Sequence, residues 1–70
     1  MSRMTSQQFD VALRAAQLMK TGGGSFAHNI GAAFLYADAY NQQRLHDAFP
    51  DLFEKYAAEA AAIRSAPTTA

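Results

Sequence analysis

The chain has 70 residues, half of them hydrophobic, with six basic and six acidic side chains and no cysteine. One domain of this size buries only about 60% of its unfolded surface, and without cysteine neither a disulfide nor a thiolate-bound zinc can staple its thin core. Zero net charge leaves no broad cationic face for phosphate-dominated nucleic-acid binding. Self-association is the remaining inexpensive route to stability, so a homo-oligomer, dimer or higher, is expected.

From the start of the chain, Met1 to Met4 reads as a frayed lead-in, and Thr5 with Gln8 three residues later forms a capping box. The helix that follows, about residues 5–20, carries Phe9, Ala12, Leu13, Ala16 and Met19 on one face, widened by Val11, Ala15 and Leu18. Asp10, Arg14 and Gln17 form the wet side, with Asp10 and Arg14 at the favourable i, i+4 spacing. Lys20 suits the negative end of the helix dipole. Gly22 is expected to stop this helix in the left-handed conformation open to glycine.

The stretch Gly22-Gly23-Gly24-Ser25 then turns the chain, with Ser25 expected to cap a second helix over 25–37. Phe26, Ile30, Phe34 and Ala37 recur along one face of it, and Ala27, Gly31 and Leu35 lie beside them. The small residues Ala27, Gly31, Ala32 and Ala33 let a neighbour approach closely. Only His28 and Asn29 are strongly polar before Asp38, and a helix apolar on nearly every side belongs inside a protein. This central apolar helix is therefore expected to be hidden from water on most sides. The run is too short and interrupted for a membrane span, which needs roughly 20 apolar residues.

Asp38 can cap a third helix over 39–48, with Leu45 and Phe49 facing inward. Pro50 breaks the chain again and, with Asp51 and Glu54 behind it, starts a last helix over 50–64. Leu52, Phe53, Tyr56, Ala57, Ala60 and Ile63 are its inward set, and Arg64 sits close to its negative end. The pattern is an all-α bundle of three to four helices forming a single domain over 1–64, followed by a disordered tail over 65–70.

Few residues suggest chemistry. A glycine-rich turn entering a helix presents free amides to an anion, and Gly23, Gly24, Ser25, His28 and Asn29 could line such a ligand site. The phosphate-loop pattern, which ends in Gly-Lys-Ser/Thr after a strand, is absent. Ser25 and His28 lack an orienting third group and an oxyanion donor set, and adjacent His46 and Asp47 diverge on a helix. No metal-ligand spacing is present. The sequence therefore predicts neither an enzyme nor a metal or cofactor protein. Tyr36, Tyr40 and Tyr56 are the candidates for a partner-binding surface, where an apolar ring with a wet hydroxyl is favoured.

The combination Gly24-Ser25-Phe26, Ala37-Asp38, Asn41, Arg44-Leu45, Ala48-Phe49-Pro50, Leu52-Phe53 and Tyr56 resembles short proteins encoded by temperate bacteriophages and prophages. The resemblance covers roughly the central half of the chain and implies a phage or mobile-element origin; no activity comes with it. The expected function is that of a non-enzymatic accessory protein that binds and modulates a host or defence protein. The alternative is an oligomer that sequesters a nucleotide or another small anion. A polar start rather than a signal-peptide core after Met1 predicts the cytoplasm of the bacterial host, away from any membrane.

Overall fold

Local signals place most of the helix ends. The computed structural model describes residues 4–65, and they form α1 (Ser6–Gly22), α2 (Ser25–Tyr36), α3 (Ala39–Ala48) and α4 (Pro50–Ser65). This is the predicted all-α bundle. The expected tail, apart from Ser65, and the side chain of Arg64 lie outside the described residues, as do Met1, Ser2 and Arg3. No described helix is long and apolar enough to cross a membrane.

The capping box forms as predicted: the Gln8 amide donates to Thr5 Oγ1 at 3.1 Å, and the Thr5 amide donates to Gln8 Oε1 at 2.8 Å. Asp38 caps α3 by accepting the Asn41 amide at 2.9 Å, so α2 and α3 are separate helices. The Asp10–Arg14 ion pair is present at 3.6 Å on the solvent side of α1.

Three local expectations need correction. Gly22 stays within α1, and no described glycine has positive φ. Gly23 ends the helix with extended backbone (φ −86°, ψ 165°), its amide donating to the Met19 carbonyl at 3.1 Å. Space, not handedness, requires glycine there: an added Cβ would lie 2.7 Å from both Met19 O and Ala27 Cβ. Ser25 is not a cap. Gly24 holds that position without a side-chain bond, and Ser25 is the first residue of α2. Met4 is buried, not frayed, because its amide donates to Gln43 Oε1 at 2.7 Å and its side chain joins the core.

The core is assembled on α1. Ala12, Ala15, Ala16 and Met19 are at most 2% exposed, and α1 is the helix against which both α2 and α4 pack extensively. On its α2 side the close contact is at Gly31. A Cβ on Gly31 would fall 2.5 Å from Ala16 O, 2.9 Å from Met19 Cβ and 3.0 Å from Lys20 N. The two backbones therefore approach as closely as a residue without a side chain permits. From the other elements come Ala27, Phe34, Phe53 and Tyr56, with the Phe34 and Phe53 rings 5.1 Å apart and tilted by 52°.

The other two helices are held differently. α3 has no fully buried residue; Leu45 and Phe49 pack partly against the core as expected, and amides fix the rest. Gln42 Nε2 donates to the Phe34 carbonyl at 2.9 Å, closing off the end of α2, while Gln43 takes the Met4 amide. In α4 the inward set holds through Phe53 and Tyr56, but Ile63 is 63% exposed. Ala61 and Ala62 beside it are exposed as well, so the apolar spacing of that turn faces solvent.

The glycines separate into two groups by experiment. Gly31→Ala should destabilise by about 1–3 kcal/mol despite alanine's better helix propensity, because two of the atoms it meets are backbone and the third is the Cβ of Met19, none of which can swing aside. Gly22→Ala, with only Leu18 Cδ1 at 3.7 Å and ordinary helical backbone, should stabilise by about 0.4–1 kcal/mol. Urea unfolding followed by circular dichroism measures both.

Candidate functional site

Two polar side chains of the glycine turn, His28 and Asn29, are occupied. His28 Nδ1 lies 2.8 Å from the Lys20 carbonyl oxygen; since a carbonyl only accepts, the ring carries its proton on Nδ1 and donates. The bond satisfies one of the free carbonyls at the end of α1 and stitches that end to the first turn of α2. Asn29 Nδ2 donates to the Ser25 carbonyl at 2.9 Å. Among the described residues no hydrogen bond joins Ser25 to His28. Gly23 is lodged against Met19 and Ala27, with Tyr56 Oη 3.2 Å from where its Cβ would be, whereas Gly24 faces open space. The turn offers an anion only the first amides of α2.

The three tyrosines part company. Tyr56 is 9% exposed and belongs to the core, with the Lys55 ammonium 5.3 Å from its ring centroid; it is not available as an open contact surface. Tyr36 and Tyr40 are 82% and 71% exposed. Each has a cation near its ring, Lys20 at 5.5 Å and Arg44 at 5.7 Å. His46 turns inward to lie 5.3 Å from the Phe53 ring, while Asp47 points outward and accepts from Gln43 Nε2 at 2.9 Å. Among the described residues no group of three His, Asp or Glu side chains could hold a metal.

The larger departure is on α2 itself. Only Ala27, Gly31 and Phe34 are fully buried; Phe26 is 59% exposed, and Ala33 and Tyr36 are open to solvent. The expectation that residues 26–36 are hidden on most sides therefore fails within one chain. α2 lies against α1 on one side and touches α3 on another, and its outward stripe, with Ala33 and Tyr36, is left exposed. Phe26 keeps a single aromatic contact, edge-on to Phe49 at 5.5 Å.

Beside that stripe runs a shallow groove of about 740 Å³, formed by Ala33 and Ala37 of α2 and by Asn41, Arg44, Leu45, Asp47 and Ala48 around them. Sequence reasoning places none of Phe26, Arg44 or Asp47 at a site. The spacing of Phe26, Ile30, Phe34 and Ala37 marks a stripe, but Phe34 on it is buried while Phe26 is not, and the polar Ser25, His28 and Asn29 stop in the first half of α2 and leave its outer side beyond them unmarked. No protein-family model, curated protein or solved structure matches the chain.

If His28 acts as a stitch between α1 and α2, His28→Ala should lower stability by about 0.5–1.5 kcal/mol. Hydrogen exchange should show the loss as faster opening of the first turn of α2, with the capped start of α3 unaffected.

Proposed function

We propose that this chain is a small, non-enzymatic accessory protein of a phage or mobile element that binds a host or defence protein through the open side of α2. One observation carries the reading. A helix with no Asp, Glu, Lys or Arg leaves Phe26 and Tyr36 at 59% and 82% exposure instead of turning them inward. Exposed apolar residues scattered singly are ordinary, but here they stand on one helix whose buried side is already satisfied by α1. Large aromatic side chains with few rotamers are also those that carry most of the binding energy at protein interfaces.

Tyr40 continues the surface onto α3, and the cations beside Tyr36 and Tyr40 give it a polar rim. The resemblance of residues 24–56 to short phage proteins supports the proposed origin, and with it the cytoplasm of a bacterial host. The anion-sequestering alternative has less in its favour, because His28 and Asn29 are already committed to backbone carbonyls.

The test compares the tagged protein with its Tyr36→Ala variant in a pull-down from host lysate. Tyr36→Ala should change stability by no more than about 0.5 kcal/mol, yet weaken retention of a host protein on the order of tenfold or more. A host protein retained equally by both forms, or none retained by either, would refute the reading.

A further inference from the structure

The groove beside α2 is a feature which that function does not use, and it carries charges of both signs. α3 contains two formally charged residues, Arg44 and Asp47, of opposite sign and one turn apart, and both line the groove. They are not paired with each other. Arg44 donates to Asn41 Oδ1 at 3.2 Å, Asp47 accepts from Gln43, and the ion pair found among the described residues is Asp10–Arg14. Between and beside them lie Leu45, half-buried, and Ala48, exposed.

We propose that a second copy of this chain occupies the groove, with the two α3 helices antiparallel across a two-fold axis near Leu45. In that arrangement Arg44 of each subunit faces Asp47 of the partner subunit, so a single pair of residues supplies two ionic contacts, as a two-fold interface requires of any patch that meets itself. Ala33, Ala37 and Ala48 leave the backbones room to approach. α3, which has no fully buried residue of its own, gains cover on the side its own bundle leaves open.

Charge reversal tests the pairing. By light scattering after gel filtration, the wild-type chain should run at twice its 7.6 kDa mass. Arg44→Asp and Asp47→Arg should each weaken self-association on the order of a hundredfold, because each places like charges together twice. An equimolar mixture of the two variants should recover the dimer, since every contact in the mixed pair is again between opposite charges. Both substitutions are at exposed positions, and unchanged helical circular dichroism confirms that the variants fold.

A monomeric wild type at high micromolar concentration overturns the proposal, as do single reversals that dimerise normally or a mixture that stays monomeric. The Tyr36→Ala variant should remain dimeric, because Tyr36 does not line the groove. Host binding is therefore read by Tyr36→Ala and dimerisation by Asp47→Arg, since Arg44 also stands beside Tyr40.

Discussion

The approach of α2 to α1 at Gly31 is the contact on which the rest of the bundle depends. With 2.5 Å between an imagined Cβ and the Ala16 carbonyl, any side chain would force the two backbones apart. The buried alanines of α1 would then lose the dispersion contacts that make such small residues useful in a core. Gly23 repeats the constraint at the turn, where Met19 and Ala27 leave no room for a side chain. A core in which four of the nine buried hydrophobic residues among those described are alanine can cohere only if its helices are close.

That closeness has a geometric cost. A helix that presses a narrow stripe of Ala27 and Gly31 against its neighbour turns few of its large side chains inward: Phe34 is buried, whereas Phe26 and Tyr36 are exposed. α3 does not cover them: two neighbouring amides in its first half tie it elsewhere, Gln42 to the Phe34 carbonyl and Gln43 to the Met4 amide. These bonds fix α3 beside α2 rather than across it. The groove and the open stripe follow from that position.

Much of this architecture is legible in the order of the residues. Thr5 with Gln8, Asp38 with Asn41, and Pro50 each act within four residues, so their signals do not depend on the fold. The glycines are harder. Gly22 reads as a left-handed stop, yet neither it nor Gly23 has positive φ, and what demands glycine at position 23 includes the side chain of Ala27, four positions further on. His28 has the look of a ligand group because its partner, the Lys20 carbonyl, carries no mark in the sequence. Met4 has the look of a frayed end because the residue that secures it is Gln43, 39 positions away.

Capping, proline and apolar periodicity are local properties of a chain, and they suffice to specify the helices, most of their ends and an apolar stripe along each. Which of the apolar residues reach the interior is settled only when the helices meet. Periodicity says that Phe26, Phe34, Tyr36 and Tyr56 border a stripe, but burial depends on which neighbour arrives and at what distance. Gly31 sets that distance. With α2 at that distance Phe34 meets the Phe53 ring in the core, while Phe26 meets the edge of Phe49 and Tyr36 stays in water, because α3 touches α2 without covering its outer side.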